Sequence, residues 1–193
     1  MTRGHQERLA PLVQAVLQEA GLKPADLGRI GVTVGPGSFT GLRVGLAFAK
    51  VLASSLDIDC VGFSSLKALA ASAPAAPGAT AAVIASRGED LFSQIFIDGV
   101  EVGAPELLDA SLLMARLIDV APGGPWRLVG PAAQPVGQEI PGAKVLDLAY
   151  PTPQALMRLT LDAAKPRLRP RPLYLRAPDA RTLEERHTAA IHG

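Results

Sequence analysis

One stretch, Ile30 to Ser55, constrains the fold of this chain more than any other. It runs Ile-Gly-Val-Thr-Val, then Gly35-Pro36-Gly37-Ser38-Phe39-Thr40-Gly41, then Leu-Arg-Val-Gly-Leu-Ala-Phe-Ala-Lys-Val-Leu-Ala. Val32 and Val34 alternate with smaller residues, as a strand requires. Gly35 and Gly37 bracket a proline and supply backbone angles that other residues resist, so the strand ends there. Ser38 or Thr40 then caps a helix. Between Leu42 and Ala53 the only charges on it are Arg43 and Lys50, which share one narrow stripe. Gly41, Gly45, Ala49 and Ala53 recur every fourth residue and let another backbone approach closely. Leu42, Val44, Leu46, Phe48, Val51 and Leu52 cover most of the remainder. A helix apolar nearly all round has to be buried nearly all round. One side can face the chain's own sheet, while the other needs more protein or a partner.

The size and charge of the chain narrow what that partner could be. With 193 residues and 48% hydrophobic content, the chain can build a real core as one domain or two small subdomains. A net charge of +1 supplies no field to steer nucleic acid or anionic membrane, so any RNA contact is local or made through a partner. An aromatic content of 4% argues against base-stacking platforms. No apolar run reaches membrane-spanning length, and the opening Met-Thr-Arg-Gly-His-Gln-Glu-Arg is too polar for a secretion signal, which points to the cytoplasm and to no membrane partner. The single cysteine, Cys60, excludes an intrachain disulfide and lies in an apolar strand pattern, so it reads as core rather than nucleophile.

In chain order, Glu7 to Ala20 predicts an amphipathic helix, with Leu9, Leu12, Val13, Val16, Leu17 and Ala20 at the required spacing. Gly21 stops it, and Pro24 and Asp26 turn the chain into the Ile30 strand. Cys60 to Phe63 predicts a second strand, followed by a helix to about Ser72 capped by Ser64 or Ser65. That unit favours parallel pairing. Residues 73–80, rich in Ala and Pro, read as a linker between an N-terminal subdomain, 1–72, and a C-terminal one, 81–193. In the second half, Ala81 to Ala85 and Leu91 to Ile97 predict antiparallel strands, and Asp98-Gly99 a hairpin into Val100 to Val102. Leu112 to Val120 predicts a helix, and Arg127 to Gly130 and Val145 to Leu148 predict short strands. Thr152-Pro153 opens a helix reaching about Ala164, a candidate to pack back on the first subdomain. Lys165 to Arg171 carries four basic residues broken by prolines and reads as a connecting strand or as a strip that meets phosphate.

Chemical motifs are weak by comparison. A glycine-rich turn before a helix suits an anion, yet Gly41 is followed by Leu42 and Arg43 where a phosphate loop needs Gly-Lys and a hydroxyl residue. The dinucleotide pattern fails at Thr40. Ser38 sits one position off a nucleophile elbow, and the three histidines, His5, His187 and His192, are confined to the two ends of the chain. The residues themselves favour an interaction module.

The run Gly35 to Lys50 closely resembles the TsaB (YeaZ) family, bacterial partners in making N6-threonylcarbamoyladenosine on tRNA. The resemblance extends back through Arg3-Gly-His-Gln-Glu-Arg-Leu9 and the first helix, and returns at Tyr174-Leu-Arg-Ala-Pro-Asp179. It implies an actin-like ATPase fold of the sugar kinase, Hsp70 and ribonuclease H-like kind, α/β with two related subdomains and mixed sheets. The related enzyme TsaD carries two metal-binding histidines in an Asn-His-x-Glu-Gly-His stretch, and this chain has Ser64-Ser65-Leu66-Lys67-Ala68-Leu69 there. The resemblance therefore implies a paralogue with no catalytic residues, no metal and no cofactor. It also implies a surface, built from the first helix and the glycine-turn helix, that pairs with TsaD as a heterodimer while TsaE joins and tRNA is reached through the complex. Leu9, Leu12, Val13, Val16, Val44, Phe48 and Val51 are the candidate interface residues, and Gly35, Pro36, Gly37, Ser38, Gly41 and Gly45 the structural motif. The same surface can pair with a second copy. The alternative is an ATP-dependent phosphotransferase or metallopeptidase of the same fold. Family members open with about three strands before the Arg-Gly-His segment. Met1 therefore looks like an internal methionine, the first subdomain is expected to have an incomplete sheet with an exposed edge, and poor solubility or self-association is expected of the chain. Ala85 stands where the family suggests an aspartate.

Overall fold

The computed structural model describes residues 5–164 and 170–175, the first three as backbone alone. In chain order the elements are α1 (His5–Glu19), one 3-10 turn (Pro24–Asp26), β1 (Arg29–Thr33), α2 (Phe39–Ser55), β2 (Asp59–Phe63), α3 (Ser65–Ser72), β3 (Ala79–Ala85), β4 (Leu91–Ile97), β5 (Val100–Leu108), α4 (Ala110–Val120), β6 (Trp126–Val129), α5 (Ala133–Glu139), β7 (Ala143–Val145) and α6 (Pro153–Asp162). Four helix starts are held by side-chain oxygens: Ser38, Ser64, Asp109 and Thr152 accept the N–H groups of Gly41, Lys67, Leu112 and Ala155. Each answers a donor that the first helical turn leaves without a partner. Ser38 rather than Thr40 caps the glycine-turn helix, and Ser64 rather than Ser65 caps α3.

The described strands form two sheets. β1 and β2 pair in parallel, with Arg29 opposite Asp59 and Thr33 opposite Phe63. The other sheet has the order β5-β4-β3-β6-β7. There β4 runs antiparallel to β3 and β5, whereas β6 joins β3, and β7 joins β6, in parallel. β3 is the centre of the core. Ala79, Ala81 and Val83 pack with Leu113 and Leu117 of α4 and Ala133 and Val136 of α5. Ala82 turns to the opposite face, against Leu66 and Leu69 of α3, Phe96 and Val129. A strand buried on both faces reads as a near-continuous apolar run, as Ala79–Ala85 does apart from Thr80. Each fully buried leucine here, such as Leu113, stabilises the fold by about 1.5–3 kcal/mol.

α3 follows the first sheet in sequence yet packs on the second, and α6 returns from the second half to β1 and α3. Gly31 makes that return possible, because a Cβ there would overlap the Thr160 side chain of α6. Arg29 completes the contact by donating from Nη1 to the carbonyls of Thr160 at 3.1 Å and Ala163 at 2.7 Å. Its Nη2 stands 3.5 Å from the Asp59 carboxylate. The Ala-Pro-rich stretch before β3 is held by Arg127, which donates to the carbonyls of Pro74 at 2.7 Å and Ala76 at 2.9 Å.

The largest differences from the sequence expectation fall in three elements. β5 extends to Leu108 instead of stopping at Val102, β7 lies at Ala143–Val145 rather than Val145 to Leu148, and α5 occupies a stretch for which no helix is expected. β3 begins at Ala79, two residues before the expected Ala81. Lys165 to Arg169, His187 and His192 lie outside the described residues.

Candidate partner interface

The glycine turn is a junction of three chain segments. The Val34 N–H bonds the Phe63 carbonyl at the end of β2, the Gly35 carbonyl accepts the Ser65 N–H at 2.8 Å, and the Val34 carbonyl accepts the Leu173 N–H at 2.7 Å. Gly35 has φ +116, and an added Cβ would lie 2.8 Å from the Leu173 carbonyl oxygen. Turn and tail are further joined on the surface of α2. The Arg43 guanidinium lies 3.9 Å from the centre of the Phe39 ring and donates from Nε to the Tyr174 hydroxyl at 3.1 Å. The two rings are 5.6 Å apart. Arg43, read from sequence only as one of two charges on the helix, thus fastens the Tyr174 segment to it. Phe39 and Tyr174 each lie within stretches singled out in the sequence, and only their proximity was hidden.

A cleft of about 220 Å³ opens beside the turn, lined by Val32, Thr33, Ser38, Gly41, Leu42 and Gly45. Its walls are apolar apart from two hydroxyl groups, and the Ser38 Oγ is the cap of α2. Cys60 is half-buried on β2, and burial pushes its thiol above the usual range, offset in smaller part by the Lys50 charge. A raised thiol is a poor nucleophile at neutral pH.

The candidate interface residues divide by exposure. On α2, Leu46, Ala49 and Ala53 are buried toward the sheet. Val44 and Phe48 are half-buried, and Val51, on the same helical stripe, is 69% exposed. Within the lone chain α2 thus covers one side against the sheet and keeps another apolar side in solvent, the side expected to need more protein or a partner. α1 packs on α2 and contributes Leu9, Val13 and Leu17 as half-buried residues, while Leu12 and Val16, one turn apart, are 53% and 63% exposed. The small-residue stripe is used at its C-terminal half only, since Gly41 is exposed and Gly45 half-buried. At the positions where TsaD resemblance sets metal-binding histidines, Ser65 is half-buried and Leu69 is 2% exposed in the core with Ala82 and Phe96.

Two α/β halves, one with a parallel strand pair and the other with a mixed sheet, a glycine turn feeding an apolar helix, and helices shared between the halves define the actin-like class of folds. A protein-family model described as TsaD, tRNA N6-adenosine threonylcarbamoyltransferase, matches residues 1–110. An uncharacterized protein of Mycobacterium bovis is 34% identical over 181 residues, covering 94% of this chain and 79% of that protein. The tRNA threonylcarbamoyladenosine biosynthesis protein TsaB of Bacillus subtilis is 35% identical over 96 residues, 50% of this chain and 42% of its own length. Among solved structures, YeaZ from Pseudomonas aeruginosa superposes with a TM-score of 0.65 at 26% identity, covering 82% of this chain and 76% of that one. The chain belongs to the TsaB (YeaZ) family. No helix among the described residues is long and apolar enough to cross a membrane.

Proposed function

We propose that this chain is a non-catalytic, cytoplasmic subunit that pairs with TsaD, with TsaE joining the assembly, in the N6-threonylcarbamoyladenosine modification of tRNA. The observation that carries this reading is the apolar surface left in solvent on α1 and α2, with Leu12, Val16 and Val51 each more than half exposed. Burying such residues is favourable, and a helix pair presenting them suits an α-helical partner surface. Leu69 supports the non-catalytic part. A leucine packed against Ala82 and Phe96 leaves its position with neither a metal ligand nor room for one. The enzyme alternatives, a phosphotransferase or metallopeptidase, lack an observation in their favour.

The test is co-purification with TsaD from the same source, read by size-exclusion chromatography with light scattering. A stable one-to-one complex is expected, and Val51→Glu and Leu12→Glu are each expected to weaken it at least tenfold while leaving the circular dichroism and thermal melt of the free chain unchanged. A free chain that binds no TsaD, or variants that bind as well as the parent, would overturn the reading.

A further inference from the structure

We infer that residues 73–78, the Ala-Pro-rich stretch that reads from sequence as a linker between the halves, form a rigid strut latched by Arg127, and that the joint on the chain's first crossing between the halves is Ser64. This inference does not rest on the pairing with TsaD.

The sequence stiffens this stretch before anything touches it. Pro74 and Pro77 fix their own φ and remove two N–H donors, and each drives the alanine before it toward extended angles. Ala73 accordingly has φ −68 and ψ 143. A stretch short of donors cannot satisfy its own carbonyls, and Arg127 does it instead. Its Nη1 donates to the Pro74 carbonyl at 2.7 Å and its Nη2 to the Ala76 carbonyl at 2.9 Å. A planar pair of donors set on two carbonyls holds a line of chain rather than a point. Among the described residues no carboxylate pairs with Arg127, and its Nε is buried without a hydrogen-bond partner, so nothing competes with the stretch for the guanidinium.

Gly78 is the one residue of the stretch with a permissive backbone, and it is clamped. It has φ +97, and a Cβ there would overlap the Pro125 carbonyl oxygen. Its N–H donates to Asp98 Oδ1 at 3.2 Å, and its carbonyl accepts the Asp98 N–H at 3.4 Å. The next N–H, that of Ala79, donates to the Pro125 carbonyl at 3.1 Å. At the other end, Ser72 Oγ donates to the Ala68 carbonyl at 2.8 Å and accepts the Thr152 N–H at 2.9 Å. Joints between halves fall where the chain is flexible and few contacts cross. This stretch is bonded at both ends and in the middle.

The strut ties α3 to the sheet on which α3 already packs. Leu66 and Leu69 lie in one core with Ala82, Phe96 and Val129, and Lys67 pairs with Glu101 of β5 at 3.1 Å. Packing, ion pair and strut together make α3 part of the second half. Ser64 alone then separates that half from the end of β2 at Phe63. The Gly35 carbonyl accepts the Ser65 N–H at 2.8 Å, which sets this joint against the turn that starts α2. A change in the angle between the halves therefore acts on the glycine turn and leaves the Ala-Pro stretch as it was.

The test is nitrogen-15 relaxation on the full chain, read at the amides of Ala75, Ala76 and Gly78. Order parameters of about 0.85, matching those of β3, are expected there, with no exchange broadening. In Arg127→Met the values at Ala75 and Ala76 are expected to fall below about 0.6 while Val83 and Ile95 keep theirs. Arg127→Lys keeps the charge but not the planar pair of donors, and is expected to behave as Arg127→Met does. Residual dipolar couplings of the α3 amides are expected to fit the alignment of β3, β4 and β6. Three results overturn the inference: order parameters below about 0.6 or exchange broadening at Ala75 and Ala76 in the parent chain, parent-like values there in both Arg127 variants, or α3 couplings that do not fit the second sheet. Should Arg127→Met fail to fold, the parent chain and Arg127→Lys decide the matter.

Discussion

Gly35 shows how a single residue can be required twice over. Its φ of +116 disfavours any side chain, and the Leu173 carbonyl oxygen stands 2.8 Å from where a Cβ would begin. That oxygen belongs to the backbone and cannot swing away. Gly35→Ala is therefore expected to destabilise the chain by about 1–3 kcal/mol, read as a shift in the urea midpoint with an unchanged slope. Sequence reasoning found the turn because Gly-Pro-Gly leaves little else possible, yet it could not see Leu173, which lies more than a hundred positions away. The same limit hid Arg29. As a residue it is one of many surface-like cations in the chain, and only the fold sets it against the carbonyls of α6.

At the level of elements, α6 depends on that arginine for its last turn. A helix end leaves carbonyls without partners, and a guanidinium that reaches the carbonyls of Thr160 and Ala163 satisfies them with charge-assisted bonds. Arg29→Met is expected to cost about 1.5–3 kcal/mol and to speed amide exchange in α6 more than in β3 or β4. Elements with strong periodicity and clear caps, α1, α2, α4 and α6, were legible almost to their ends. α5 was not, because Pro135 and Gly137 are helix breakers on propensity. Pro135 is tolerated in the first turn, where its missing N–H has no partner to lose, and Gly137 makes way for the Val145 side chain. β5 was cut short by Gly103 and Pro105, which weaken a central strand but suit an edge. β7 was read two residues late because Val145-Leu146 is the most apolar part of its stretch. The regular ladder ends at Leu128 opposite Val145, although bonds from Leu146 to Leu128 and from Gly130 to Leu148 carry the chain on beside it. The apolar stripes of α1 and α2 were legible as candidates, but which residues faced inward was not, since periodicity gives a face and not what covers it.

On the scale of the whole molecule, two sheets share their helices. α3 serves the second sheet, α6 serves the first, and the two pack on each other. Ser72 and Thr152 join them directly, the Thr152 N–H donating to Ser72 Oγ at 2.9 Å. The halves are therefore expected to unfold together. Trp126, the one tryptophan of the chain, lies in β6 and reports the second sheet alone, whereas far-ultraviolet circular dichroism reports all helices. Coincident melting curves from the two signals are expected, and separate midpoints would show that the halves are independent. The Arg29 to Ala163 bond, spanning 134 positions, has a further consequence during synthesis. β1 leaves the ribosome well before the helix that covers one of its faces, whose bonded carbonyl lies 134 positions later. At about 5–20 residues per second, the first sheet waits several seconds with one face bare, and in that interval the nascent chain is open to chaperones and to wrong partners in a way the finished molecule is not.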